Sequence, residues 1–480
     1  MSGEAWIPTF DGKGRHLGHL RDADAADLLL QASRGKGYTR VPASYVVYRE
    51  GDVYKAKNGE TGRVEFEDTD AGAVINQAVS ASPRGGIVFV RAGDYTVSTP
   101  ITLKSGVTLQ GEGSDVWGSK GTTLWKAFDG GFLIDCDPSV QTERAVVRGF
   151  CMRPLGGKSG GGVRFQAARH SRLEDCVLLY FQGNGVEISP VEGKATENVS
   201  VKKCYLFANK GHGIVVSAPD NIVEETVVDS YTASPGSYAL LIQAGNTLVR
   251  NCHLVTQGVS KPSTLVAALI SSTASYCRFT GNFVDNTHQG LIVEGNWNTI
   301  TGNFFYLSRR ELLVIKGHRN AVVGNVFFDS SREAAGYTDI LIDGGTGNTI
   351  VGNTFKRATA NTAAAVKEAG AADWNVIAHN SFDTGYASGA VIAAGANTVT
   401  RENVNFRTEN SGTATIPAGS TYVDVAHGLS ITPKPERIRV VPLDNLAGRS
   451  FWVSNVTSTS FRINISSADT VSHSFGWSYE

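Results

Sequence analysis

Five stretches of this chain repeat one another: NTLVRNCHLV at 246–255, NTITGNFFYL at 298–307, NAVVGNVFFD at 320–329, NTIVGNTFKR at 348–357 and NVIAHNSFDT at 375–384. Each begins with Asn, carries a branched apolar residue two positions on, returns to Asn or its equivalent after five and runs on into apolar residues. Asn282, Asn303, Asn325, Asn353, Asn380 and Asn403 follow one another at intervals of 21, 22, 28, 27 and 23. Between them lies a second short apolar segment ending in Gly: GLIVEG, LLVIKG, DILIDG and AVIAAG. A unit of this size cannot bury its own apolar face. It becomes stable only by stacking on its copies.

The period fits one turn of a right-handed parallel β-helix, with about three short strands per coil and neighbouring coils ~4.8 Å apart. Ile, Val, Leu, Phe and Cys would point inward and stack on their equivalents. Asn suits the corners because it tolerates positive φ. Its amide can also bond to the same amide one coil away, so that no buried polar group is left unpaired. Residues 85–410 would make on the order of thirteen coils, a rod roughly 60 Å long. From Gly85 onward no 3.6-residue period recurs, which excludes alternating strands and helices. The recurrent Phe304, Phe305, Phe327, Phe328, Phe355 and Phe382 are expected in the core stack. The six cysteines, Cys136, Cys151, Cys176, Cys204, Cys252 and Cys277, are expected as small buried core residues with no zinc-site spacing and no disulfide framework.

The flanks differ. Residues 1–65 read as a separate region, with a short helix over 22–33 and a hairpin region broken at Asn58-Gly59. Residues 68–82 fit an amphipathic helix with Val74, Ile75, Ala78 and Val79 on its apolar face and Asp68 or Asp70 as cap. That helix would lie over the open N-terminal end of the stack, an edge-pairing hazard if left bare. Residues 66–412 form the β-helix with its cap, and 413–480 a small antiparallel β-domain for trimerisation or glycan binding, in which His427 and His473 are ordinary residues. The fold class is therefore all-β. Lys plus Arg is 44 and Asp plus Glu is 45, a net charge of −1 that speaks against a broadly basic nucleic-acid or membrane-surface binder. The N-terminus has no signal-peptide pattern, and no apolar run is long enough to span a bilayer. Exit by cell lysis would leave no mark. GGKSGGG at 156–162 lacks the strand, GK[ST] and helix order of a phosphate loop.

GGIVFVRAGDYTVSTPITLKSGVTLQGEG, with Gly93-Asp94-Tyr95 and Gly111-Glu112-Gly113, resembles the opening of pectin-lyase-like parallel β-helices. The tail, with His427-Gly428-Leu429, a strand near Pro433 to Val441, TSTSFRINI and a closing FGWSYE, is similar to C-terminal domains of some phage and archaeal-virus tail proteins. The resemblance implies a tailspike-like polysaccharide depolymerase, hydrolysing or eliminating a surface or acidic glycan, as a homotrimer on a virion tail or in another extracellular setting. It implies no cofactor. The alternatives are a glycan-binding spike without catalysis and a cellular carbohydrate lyase or hydrolase. The coil region departs from the family pattern. It has no Asp-Asp step, no WIDH-like segment and no obvious Asp cluster for calcium, so no family catalytic residue can be carried over.

Candidate site residues come from register. Aligning Gly295, Gly317 and Gly344 puts Glu294, Lys316 and Asp343 in one outward column, and Gly290, Leu312 and Asp339 in another, with His288 and Arg310 just before it beside Glu311. His212 lies in a GHG turn farther up the stack, with Tyr238 nearby. The expectation is a shallow groove across coils 210–345 with Glu294, Asp343, Asp339 or Glu311 as acid and base. Carboxyls one or two coils apart suit a retaining or an inverting hydrolase. On a uronate polymer, Arg310, Lys316 and His288 would pair with carboxylates, and Lys316 or His288 would take the C5 proton. Trp297 and Trp374, at turns, are platform candidates for a sugar ring, as are Trp117 and Trp125.

Overall fold

The computed structural model describes residues 43–115, 121–230, 232–257, 264–358 and 361–480, together with the backbone of the paired strands Trp6–Phe10 and His16–Arg21. The expected helix at 22–33 and Trp117 lie outside the described residues. The chain divides into two compact units, Met1–Gln182 with Val191–Thr196, and Gly183–Pro190 with Glu197–Glu480.

In the first unit, Ile87–Val90, Thr108–Gly111, Val146–Arg148 and Arg172–Glu174 pair in parallel, each with its copy one coil on. Residues 43–68 are not separate from this sheet. Tyr45–Glu50, Val53–Asn58 and Val64–Asp68 form an antiparallel meander, and Tyr45–Val47 pairs in parallel with Val88–Val90. The meander turns at Gly51-Asp52 and again over 59–63, rather than at Asn58-Gly59 alone.

The helix spans Ala71–Ala81. Asp70 caps it, accepting from the Gly72 N–H at 3.0 Å and from the Ser98 N–H at 2.7 Å. Val74, Ile75, Ala78 and Val79 are buried on its inner face. Asn76 does what a neighbouring strand would do for the edge at Ile101–Leu103. Its Nδ2 donates to the Pro100 carbonyl and its Oδ1 accepts from the Thr102 N–H, both at 2.8 Å. The edge hazard is thus answered by one amide side chain as well as by apolar cover.

In the second unit three strands recur per coil. Nine strands from Ser200–Lys202 to Val399–Arg401 form the first column among the described residues. The second runs from Tyr205–Phe207 to Thr354–Lys356, and the third from Val186–Ser189 to Val391–Ile392. The first unit holds four strands of the same kind and the second nine, against an expectation of the order of thirteen coils. Each three-residue strand of the first two columns turns its middle residue inward. Val201, Val223, Val249, Phe279, Ile300, Val322, Ile350 and Ile377 are fully buried in the first column, each worth roughly 1.5–3 kcal/mol gross. In the second column Phe305, Phe327, Phe355 and Phe382 stack at centroid separations of 4.9, 5.0 and 5.0 Å. Phe304 and Phe328 do not join them. They flank the inward ring on alternating strand positions, so they face outward.

Two ladders hold the corners. Asn282, Asn303, Asn325, Asn353, Asn380 and Asn403 are buried, and each Nδ2 donates to the next Oδ1 at 2.9–3.1 Å. Asn298, Asn320, Asn348 and Asn375 make a second ladder, each Oδ1 after the first accepting the backbone N–H of the Asn before it at 2.8 Å. Positive φ falls on the residue before the ladder Asn, not on the Asn itself: Gly281, Gly302, Gly324, Gly352, His379 and Glu402. Upstream the same two positions hold Cys204, Thr226 and Cys252, and Thr247 and Cys277. These cysteines are corner residues of the ladders. Their Sγ–H groups point at the carbonyl two residues back, at 3.3 Å for Cys204 and Cys252. All six are buried, and burial pushes the Cys252 thiol up to about 12.

Within the same unit, Asn410–Ile416, His473–Tyr479 and Ile438–Pro442 form one antiparallel sheet, and Tyr422–Ala426, Ser460–Ile465 and Phe451–Ser454 another. Ile416, Val425, Phe461, Ile463, Phe475 and Trp477 are buried in a common apolar cluster. His427 and His473 hold turns. The His427 Nδ1 accepts from the Leu429 N–H at 3.0 Å, and His473 sits between Asp444 and Asp469, whose hydrogen bonds push its pKa up.

Candidate functional site

The strands of the third column carry the expected residues, but at two ends. Val293 pairs with Ile315 and Ile315 with Ile342, so Glu294, Lys316 and Asp343 do align one residue beyond. The Lys316 Nζ lies 3.1 Å from the Glu294 Oε1. Asp343 is two coils from Glu294, ~9.6 Å by strand spacing. His288 lies at the opposite end of the strand Gln289–Val293, ~20 Å along the chain from Glu294. The single groove therefore resolves into two clusters.

At the far end, a carboxylate that register did not single out is the centre. Glu333 receives Arg310 at 3.3 Å, Arg309 at 3.8 Å and His288 at 3.7 Å. The Arg310 guanidinium also lies over the Tyr337 ring at 5.4 Å. Beside them, the Gln289 Nε2 donates to the Glu311 Oε2 at 2.7 Å. His288 is buried, its Nδ1 has no hydrogen-bond partner, and burial followed by Arg310 pushes its pKa down. The imidazole is thus neutral at neutral pH. Glu333 belongs to an enlarged turn between the second and third columns. Its trace in the sequence is the jump from a 22- to a 28-residue interval between Asn303, Asn325 and Asn353.

Asp339 aligns with Gly290 and Leu312 as expected and lies on the outward side by alternation, but it is not solvated. It is fully buried. The Tyr386 hydroxyl donates to its Oδ2 at 3.2 Å and the Ser330 N–H reaches its Oδ1 at 3.4 Å. Turn segments from two coils roof that column over. Burial raises the Asp339 carboxyl to about 7. An exposed acid or base is excluded for it in this conformation.

His212 and Tyr238 form a third group. Their rings stack at 5.6 Å and 8°, and the His212 Nδ1 accepts the Tyr238 N–H at 3.0 Å. That bond puts the proton of neutral His212 on Nε2 and makes it a donor. The Tyr238 hydroxyl is held above its ordinary pKa by burial and then by Glu294. Trp297 is 49 % and Trp374 65 % exposed, whereas the Trp125 indole N–H is tied to Asp94 at 2.8 Å with Arg153 over its ring. An open hollow of about 530 Å³ lined by Glu402, Asn405, Arg407 and Glu409 lies elsewhere, and its Glu402 is paired with His379 at 2.8 Å. Among the described residues no group of three or more His, Cys, Asp or Glu is arranged to hold a metal, and no helix is long and apolar enough to cross a membrane.

These stacked coils define a right-handed parallel β-helix of the pectate-lyase-like kind, a fold shared by glycan-acting proteins. Residues 60–253 match the family described as rhamnogalacturonase A/epimerase, pectate lyase-like, and residues 250–415 match that of the periplasmic copper-binding protein NosD. In fold the chain is similar to the A-module of the mannuronan C-5 epimerase AlgE6 of Azotobacter vinelandii, at 14 % identity over 70 % of this chain and 95 % of that one, with a TM-score of 0.57. It is also similar to the tailspike protein of the E. coli bacteriophage HK620 in complex with a pentasaccharide, at 12 % identity, 100 % and 98 % coverage and a TM-score of 0.52. DFA-IIIase of Arthrobacter chlorophenolicus, without its lid, gives 15 % identity, 69 % and 95 % coverage and 0.52. No curated protein matches the chain in sequence.

Proposed function

We propose that this protein acts on an acidic polysaccharide by β-elimination at the Glu333 cluster. The observation that carries this reading is the convergence of two guanidiniums and a neutral imidazole from adjacent coils on one carboxylate. The substrate's uronate carboxylate would take the place of Glu333 at Arg310, a side chain that is 43 % exposed. His288 would take the C5 proton. The C5–H electron pair becomes the C4=C5 double bond, the C4–O bond breaks, and the leaving oxygen receives a proton from the imidazolium. Glu333 positions both partners. Hydrolysis by Glu294 and Asp343 is less well supported, because their ~9.6 Å separation is at the upper limit for an inverting pair and Lys316 stands between them.

The test is incubation with a panel of acidic and neutral polysaccharides, reading unsaturated-product absorbance and reducing ends together. Unsaturated ends are expected with wild type and are expected to fall at least about 100-fold in His288→Ala and Arg310→Ala. Reducing ends without absorbance, lost in Glu294→Gln or Asp343→Asn, would move the chemistry to that column. Binding with no product would make the protein a glycan-binding spike.

A tailspike-like role in a virion tail or another extracellular setting belongs to the same proposal, prompted by the whole-length likeness in fold to a tailspike. So does the homotrimer. The outer face of the second column supplies a surface for a further copy of the chain. His253, Phe283, Phe304, Tyr306 and Phe328 contact one another at 4.6–6.2 Å on successive coils. Rings engaged with each other along the column present edges to the outside, which suits apolar packing against protein better than stacking on a sugar. The repeat of ~4.8 Å is matched by the same face of another copy.

A further inference from the structure

One corner of the second unit departs from the others. Residues Asn198, Asp220, Asn246, Tyr276, Trp297, Arg319, Gly347 and Trp374 precede the second ladder on successive coils, and all have φ between 54° and 66°. Left-handed backbone is cheap for Gly and tolerable for Asn and Asp, which fill four of these eight places. Bulky aromatic residues are poor choices there. Yet Tyr276, Trp297 and Trp374 occupy three of them. They bury little in return, being 61 %, 49 % and 65 % exposed. Packing does not explain these side chains.

Their geometry suits a ligand with flat apolar faces. Unlike the rings of the second column, Tyr276 and Trp297 are not stacked on each other although they stand on adjacent coils. Arg319 lies 4.9 Å from the Trp297 ring centroid and adds a cation to the row. Beneath the row the backbone is fixed. The Trp297 N–H donates to the His318 carbonyl at 3.1 Å, and the His318 N–H to the Asn296 Oδ1 at 2.8 Å. Tyr276 to Trp374 covers four coil steps, ~19 Å. Gly347 stands between Arg319 and Trp374, and the Arg319 side chain lies against it, its Cγ 3.4 Å from where a Cβ would stand.

We propose that this corner is a glycan-holding track, separate from the Glu333 cluster, on which Tyr276, Trp297 and Trp374 stack against sugars along one polysaccharide chain and Arg319 pairs with an acidic group between them. This rests on the reading that the protein acts on glycans, but not on which cluster performs the chemistry. The track retains the polymer while another segment of it is processed.

The backbone gives the test its signature. In Trp297→Asn and Trp374→Asn the new residue suits the local φ, so thermal stability should be kept or raised while glycan affinity falls. Each ring face is expected to contribute roughly fivefold in affinity, so the double variant should bind at least about 25-fold more weakly. Intact wild type and variants are compared on an array of acidic and neutral polysaccharides, with melting temperature recorded for each. His288→Ala, which leaves the track untouched, should keep wild-type binding even where turnover is lost. Unchanged binding in the double variant, no binding to any arrayed glycan by wild type, or a fall in melting temperature that parallels the loss of binding would each overturn the track. If His288→Ala keeps its activity while the double variant loses binding, the elimination site is wrong and the track stands.

Discussion

Replacing Asn325 by Ala should be among the most damaging single changes in the coils. Its Oδ1 accepts both the Asn303 N–H and the Asn303 Nδ2 at 2.9 Å, and its Nδ2 donates to the Asn353 Oδ1 at 3.0 Å and to the Ile300 carbonyl at 2.9 Å. Some partners are rescued: the Asn303 Nδ2 keeps the Phe279 carbonyl, and the Asn353 Oδ1 keeps the Asn325 N–H. One buried group is not, the Asn303 N–H, whereas the Ile300 carbonyl keeps its place in the parallel pairing of Thr299–Thr301 with Ala321–Val323. At roughly 1–3 kcal/mol for the orphaned N–H and ~1 kcal/mol for the bond lost at the Ile300 carbonyl, the loss is ~2–4 kcal/mol. Asn325→Thr should cost less, because Thr226 already fills this position with its Oγ1 accepting the Cys204 N–H at 3.3 Å. Asn403→Ala, at the last rung where the side chain is 9 % exposed, should cost about 1 kcal/mol, since water reaches the freed groups. Urea unfolding followed by far-ultraviolet circular dichroism, with unfolding rates measured alongside, ranks the three. Equal losses for Asn325→Ala and Asn403→Ala would refute the ladder as the source, as would a loss below ~1 kcal/mol in the middle of the stack.

Two further outcomes follow. Asp339→Asn should stabilise the protein near neutral pH and not in acid: with its folded pKa at about 7, neutral Asp339 contributes stability that is lost as pH rises from the ordinary carboxylate range through that value, at ~1.4 kcal/mol per pKa unit. Melting curves of both proteins from pH 4 to 8 should diverge with rising pH, and parallel curves would sink the argument. The native mass should be three times that of the chain in wild type and fall to one in Phe304→Glu with Phe328→Glu at unchanged circular dichroism, whereas a monomeric wild type or an undisturbed variant would remove the second-column face as an interface.

The coils were legible because stacking makes every position answer to its copy. Period, inward aromatic and corner Asn all repeat, so the register of Glu294, Lys316 and Asp343 could be read from glycines alone. The cap helix was legible because its apolar spacing and Asp70 are local signals. What was misread depends on the sides of the coil. Phe304 and Phe305 are adjacent, and only alternation around a known strand says which faces in. Asp339 was placed in the right column, but its roof comes from turns whose paths no repeat specifies. Glu333 lies in such a turn, visible in the sequence only as a longer interval.

The same contrast separates architecture from chemistry in this molecule. A residue that serves the stack is constrained at every coil, which is why Cys204, Thr226, Cys252 and the asparagines can be recognised as one series of small side chains that can hydrogen-bond at the corner. A residue that serves a ligand breaks its column instead. Tyr276, Trp297 and Trp374 stand where the backbone favours Gly or Asn, and Glu333 stands in a turn that lengthens its coil. Exchanging such a residue for its column's preferred type should therefore leave the fold intact or improve it while removing function, and exchanging a ladder residue should do the reverse. Trp297→Asn against Asn325→Ala puts both halves of that argument in one experiment: if the first lowers stability or the second spares it, column deviation is not a guide to function in this protein.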